Sequence, residues 1–159
     1  MAKNPDNQAP KAIRLKDYRP TEYAVVHVDL HFTLDEENTI VRARTQFKRR
    51  EGQGKAPLVL HGEELVLKSL KLNGEPLEAA DYLVEDETLT IHEVPEAFLL
   101  EIEVSINPAA NTSLNGLYTS SGNFCTQCEA EGFRRITYMY DRPDVMARYT
   151  TTIEADKKR

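Results

Sequence analysis

The chain has 159 residues, enough for one domain, with 40% apolar residues, 29% charged residues and a net charge of -6. That charge argues against a nucleic-acid partner, whose phosphates need a positive field. No apolar run reaches the length of a membrane span, and the opening M-A-K-N-P-D-N-Q-A-P-K lacks the apolar stretch of a secretory signal, so the expected location is cytoplasmic.

Residues 1–17 are polar, carry Pro5 and Pro10 and show no periodicity. They are expected to be a mobile N-terminal segment, followed by one β-rich domain over 18–159. From Tyr23 to Leu34 the alternation is nearly strict. It sets Ala24, Val26, Val28, Leu30, Phe32 and Leu34 on one face and Tyr23, Val25, His27, Asp29, His31 and Thr33 on the other. A period of two is the mark of a half-buried strand, most often antiparallel. Asp35–Asn38 reads as a turn. Ile40–Lys48 alternates again, with Val41, Ala43, Thr45 and Phe47 inward and the basic Arg42, Arg44 and Lys48 outward.

Leu58–Leu60 is a short buried strand. The leucines of Leu65–Leu72 change phase, which predicts a bulge near Lys68–Ser69. Asn73-Gly74 is a two-residue hairpin signal, because both central positions of a type I′ turn need positive φ. Tyr82–Val84 and Thr88–Ile91 predict another hairpin. Phe98–Ile106 has the clearest alternation, with Phe98, Leu100, Ile102, Val104 and Ile106 on one face. Asn111–Asn123 is polar and turn-rich. Arg134–Tyr140 is strand-like, Asp141 is a plausible N-cap for one helical turn holding Pro143, and Arg148–Ile153 alternates once more. The expected fold class is therefore all-β, a β-sandwich or an open, curved sheet of antiparallel strands.

The histidines offer little. His27 and His31 share a strand face but stand about 13 Å apart, too far to ligate one zinc ion. His92-Glu93-Val94-Pro95-Glu96 starts like the H-E-x-x-H helix, but its fifth residue is glutamate and Pro95 breaks the helix. Cys125-Thr126-Gln127-Cys128 is a lone CxxC with no second pair and no βαβ context, so two buried or half-buried thiols are expected. Arg134, Arg135, Arg142 and Arg148 are interleaved with acids, which favours ion pairing over anion binding.

Thr126–Glu131 lacks both strand and helix character, as binding loops on rigid strands do. Glu129 and Glu131 read either as a solvated acidic loop or as carboxylates that recognise a cation. An ammonium has three donors and no acceptor, so a carboxylate suits it, and Gln127 stands on the same side of an extended segment as Glu129. The chemistry alone does not separate these readings.

The pattern N-x-S-L-x-G-L-Y, followed by T-Q-C-E-A-E-G-F-R-R-I-T-Y-M-Y-D-R-P-D-V-M-A-R-Y-T-T-T-I, closely resembles the zinc aminopeptidase N (alanyl aminopeptidase) family in its bacterial form. The strand Tyr23–Leu34 resembles that family's amino-terminal domain as well. The resemblance implies an all-β amino-terminal domain, an open saddle-shaped sheet or β-sandwich, followed by a thermolysin-like zinc domain in the same chain. It implies that Gln127 lines the pocket for the first substrate side chain and that Glu129 binds the free α-amine of peptide or aminoacyl substrates. It also marks Glu129-Ala130 as a candidate cis peptide.

The family's H-E-x-x-H and G-x-M-E-N motifs are absent here, so Zn2+ is expected in the full-length parent and none in this chain, which would be inactive alone. The tail Ile153–Arg159 leaves a strand with no turn or cap and reads as cut. The alternative from another class is a stand-alone β-sandwich interaction module; a weaker one is a redox-sensitive domain using Cys125 and Cys128.

Overall fold

The computed structural model describes residues 14–156, so the anticipated mobile segment lies outside the described residues up to residue 13. Leu15–Asp17 make a single 3-10 turn. Eleven strands follow: β1 (Tyr23–Thr33), β2 (Thr39–Arg49), β3 (Leu58–His61), β4 (Val66–Leu72), β5 (Glu75–Pro76), β6 (Tyr82–Val84), β7 (Thr88–Ile91), β8 (Ala97–Ile106), β9 (Gly116–Ser120), β10 (Asn123–Gln127) and β11 (Arg148–Glu154). They form an open six-stranded sheet in the order β11-β1-β2-β8-β4-β5, a three-stranded sheet β3-β7-β6 and the β9–β10 hairpin. This is the all-β sandwich that the alternation predicts.

The central strands behave as their period-two pattern requires. In β2, Val41, Ala43 and Phe47 are buried, while Arg42 and Arg44 point to solvent and pair with Glu103 (2.6 Å) and Glu101 (3.2 Å) across the ladder. In β8, Phe98, Leu100, Ile102, Val104 and Ile106 are all buried. These side chains join Leu58, Leu60, Leu89 and Ile91 of the smaller sheet in one core. Phe47 stacks on Phe98 at 5.2 Å, and Tyr23 meets the same ring edge-on at 5.6 Å. Each such side chain contributes roughly 1.5–3 kcal/mol on full burial.

The local signals also land where expected. The β4–β8 register shifts between Leu67 and Ser69, the bulge that the leucine phase change predicts. Asn73 (φ 53°) and Gly74 (φ 88°) turn the chain between β4 and β5. The Asp35 carboxylate accepts from the backbone N–H groups of Glu37 and Asn38, both at 2.9 Å, and closes the β1–β2 turn.

Two features differ from the reading of β1 and β11. The β1–β2 register slips between Val25 and His27, so Tyr23 turns inward, fully buried, and Val26 is pushed out to solvent. The Tyr23 hydroxyl donates to the Ala56 carbonyl at 2.6 Å, which satisfies the one polar atom that burial would otherwise orphan. The sheet is also mixed: β11 pairs with β1 in parallel, from His27↔Arg148 to Thr33↔Glu154. A parallel neighbour follows from the long excursion of residues 107–147, which brings the chain back to the starting end of β1.

Candidate functional site

The hairpin β9–β10 carries the loop that sequence reading singles out. Ser121 (φ 51°) and Gly122 (φ 79°) form its turn, and the ladder runs from Asn123↔Ser120 to Gln127↔Gly116. Beyond Gln127 the backbone leaves the ladder and bends through residues 128–132. Gly132 lets it return: a Cβ there would stand 2.2 Å from Asn115 Oδ1 and 2.9 Å from the Gln127 carbonyl oxygen. Asn111 Nδ2 donates to the carbonyls of Asn115 (2.8 Å) and Leu117 (2.9 Å), and Asn115 Nδ2 donates to the Glu131 carbonyl at 3.3 Å. The Glu129–Ala130 peptide is cis.

Side chains along this stretch divide between two directions. Phe124, Thr126 and Cys128 line an apolar cleft of about 700 Å³ with Leu117, Phe133 and Tyr149. Gln127 and Glu129 are exposed and are not among its lining residues. Gln127 Nε2 donates to the Glu129 carbonyl at 3.2 Å, which leaves the amide oxygen as an acceptor for something else. Glu129 itself makes no side-chain hydrogen bond or ion pair among the described residues.

The acids around it are committed. Phe133–Arg135 form a single 3-10 turn. From that turn Arg134 reaches Asp141 Oδ2 through Nε at 2.8 Å and Glu131 Oε2 through NH2 at 2.8 Å, with Glu63 3.7 Å away. The Arg134 backbone N–H and the Asp141 carbonyl add bonds to the same pair, at 3.2 and 3.1 Å. Arg135 pairs with Glu63 (3.2 Å) and Glu64 (2.6 Å). Burial alone would lower the Arg134 pKa, yet the Asp141 hydrogen bond and the charges of Glu131, Asp141 and Glu63 outweigh it and hold the pKa up. Around the loop, the carboxylates of Glu63, Glu64, Glu129, Glu131 and Asp141 outnumber the two guanidiniums, so the local field favours a cation.

Here the structure corrects two expectations. Arg134–Tyr140 is no strand: after the 3-10 turn it is irregular, with a single bridge from Met139 to His61. Ile136, Tyr138 and Tyr140 are all in the core, but Thr137 between them is buried too, so these residues plug the sandwich and no ladder extends beyond that bridge. Asp141 caps no helix. It is buried, its carboxylate held by Arg134 and its N–H donating to His61 Nδ1 at 3.2 Å. Burial, then the nearby Arg134 charge, push the His61 pKa below its ordinary value. Sequence reading found no role for His61, and nothing local could have shown one, because its partner is 80 residues away.

The remaining candidates take structural places. His27 pairs with Asp29 (3.0 Å) and meets Thr150 Oγ1 (3.1 Å), while His31 reaches Glu154 (3.3 Å), so both histidines stitch β1 to β11. Cys125 and Cys128 are free and half-buried, and burial, followed by the Asp141 charge, raises the Cys128 thiol pKa. That lowers its thiolate fraction and its reactivity. Among the described residues no three His, Cys, Asp or Glu side chains converge where a metal ion could be held. No helix among the described residues is long and apolar enough to cross a membrane.

Comparison with known proteins gives this geometry a context. The Peptidase M1 N-terminal domain model matches residues 19–159. The chain is 52% identical over 149 residues to aminopeptidase N of Caulobacter vibrioides and 51% identical over 150 residues to that of Escherichia coli K12. Each match covers 94% of this chain and 17% of the relative, so the chain spans about a sixth of their length. Among solved structures, aminopeptidase A of Legionella pneumophila, crystallised with aspartic acid, superposes with a TM-score of 0.85 at 34% identity, over 92% of this chain and 17% of that one. An M1 zinc metallopeptidase of Deinococcus radiodurans shares the fold at a TM-score of 0.69 and 18% identity, over 84% of this chain and 32% of that one.

Proposed function

This chain belongs to the peptidase M1 N-terminal domain family, and on that footing we propose that it is the substrate-gripping domain of a cytoplasmic, zinc-dependent aminopeptidase. Glu129 binds the free α-amine of a peptide or aminoacyl substrate, and Gln127 borders the pocket for its first side chain. The catalytic domain follows in the same polypeptide and closes over this loop. There zinc supplies a polarised carbonyl and an activated water. The chain itself hydrolyses nothing when alone.

One observation carries the reading: Glu129 is the exposed carboxylate without a partner beside a network in which Glu63, Glu64, Glu131 and Asp141 are all paired. An unpaired carboxylate on an irregular, braced loop is what an incoming ammonium needs. It rewards a charged chain end, and where the amine is blocked or missing it is left desolvated and uncompensated. Gln127 adds an acceptor on the same side, since its amide nitrogen is already used within the loop.

The test is Glu129→Gln in the full-length enzyme, assayed on aminoacyl anilides. A hydrogen bond to a charged group contributes about 1.5–3 kcal/mol, so kcat/KM should fall by roughly 10- to 150-fold. An unchanged kcat/KM removes Glu129 from the amine site. The 159-residue chain with added zinc should show no turnover above background; turnover there would contradict the division of labour.

A further inference from the structure

Resting on that reading, we propose that Arg134 is the positioning residue of the amine grip: through its fork to Asp141 and Glu131 it sets where the Glu129 carboxylate stands. Glu131 is two residues from Glu129 on the same bend, and its carboxylate is the loop's only side-chain ion pair to the body among the described residues. The other end of the fork is firm. Asp141 is buried at 6% exposure, and its N–H is held by His61 on β3.

The Arg134 backbone takes part as well. Its carbonyl accepts from the Glu63 N–H at 2.9 Å, and the Glu63 carboxylate in turn faces both Arg134 and Arg135. The guanidinium therefore ties the 128–132 bend and the Asp141 segment, which flank it in sequence, to the distant β3–β4 turn.

Geometry explains why an arginine is needed. Nε bonds Asp141 while NH2 bonds Glu131, both at 2.8 Å, from one planar group. A lysine ammonium is a point charge and cannot span both at those directions. The bend has few other anchors: the Asn115 bond to the Glu131 carbonyl at 3.3 Å, the Gln127 bond to the Glu129 carbonyl at 3.2 Å and the Arg135 N–H bond to the Gly132 carbonyl at 3.1 Å. Freed from Arg134, the bend can carry the Glu129 carboxylate away from a fixed distance to the scissile bond, and catalysis is sensitive to such displacement.

The experiment is a kinetic cycle in the full-length enzyme with Glu131→Gln, Glu129→Gln and the double variant, and thermal unfolding beside it. Glu131→Gln takes the charge from the loop's half of the clamp at an exposed side chain, leaving only a neutral acceptor for Arg134, and keeps Asp141 paired. It should raise KM for aminoacyl anilides by about tenfold, within the ~10²-fold that a 1 Å misplacement can cost, with kcat and unfolding temperature little changed. In the double variant it should add nothing to Glu129→Gln, because it acts only through that carboxylate. Arg134→Lys should match Glu131→Gln in KM.

If Glu129→Gln raises KM but Glu131→Gln does not, or if the two effects add, the positioning role is overturned and the amine grip survives. If Glu129→Gln itself leaves kcat/KM unchanged, both fall together. A fall in unfolding temperature without any change in KM would make the clamp structural only, and would also overturn the proposal.

Discussion

The β1–β2–β8 face and the 127–141 segment are built by different means. On the sheet, every second side chain is buried, and polar residues face water in pairs such as Arg42–Glu103. Apolar burial does the work, and any residue of the right size and polarity would serve. In 127–141 the backbone follows no ladder, and its course is set by two arginines, four acids, an asparagine brace and a glycine that admits no Cβ. Such a segment depends on residue identity, which is why it can hold a carboxylate free for a ligand while the carboxylates around it are paired.

That contrast can be broken from the sheet side first. Leu100 is fully buried on β8, and Leu100→Ala should cost about 2–5 kcal/mol, seen as a lowered urea midpoint with an unchanged slope. Once folded, the variant should keep its KM. A raised KM with normal stability would mean that the sheet sets the site directly.

A second, smaller effect belongs to the irregular segment. The folded-state pKa of His61 lies below the ordinary 6.5, so the unfolded chain binds the extra proton first. Stability contributed by the neutral imidazole is therefore complete above about pH 6.5 and is lost as pH falls from there toward the depressed folded value. Urea titrations across that window should show this slope, and His61→Gln should flatten it. An unaltered slope in the variant would remove His61 as its source.

The smallest effect is on the solvent face. Arg42→Ala breaks an exposed ion pair and should change stability by less than about 1 kcal/mol, with activity unaffected.

Much of the sheet was legible because period-two alternation states directly which side is buried; β2 follows it residue by residue, and β8 follows it as far as Ser105, which is buried between Val104 and Ile106. Turn chemistry at Asn73-Gly74 and the bulge at Leu67/Ser69 were legible for the same local reason. What escaped depends on contacts between distant residues. The slip after Val25 that buries Tyr23 is fixed by pairing with β2 and by the Ala56 carbonyl. The parallel partner of β11 is set by the return path of the chain. In Arg134–Tyr140, burial of Ile136, Tyr138 and Tyr140 imitates a strand, and Asp141 has the composition of an N-cap but is taken by Arg134. Gln127 and Glu129 were singled out by the family resemblance, since the residue types alone left a solvated loop and a cation site equally open, and both side chains are exposed. The clamp that holds their loop was invisible, because Glu63 and His61 join it from far along the chain.

The central claim is that Glu129 reads the positive charge at the end of a peptide. The direct measurement is the ratio of kcat/KM for a free-amine substrate to that for its N-acetylated counterpart, in the full-length enzyme and its Glu129→Gln variant. The account predicts that the ratio collapses in the variant, because activity on the free amine falls while activity on the blocked substrate holds. A ratio that stays the same would contradict it.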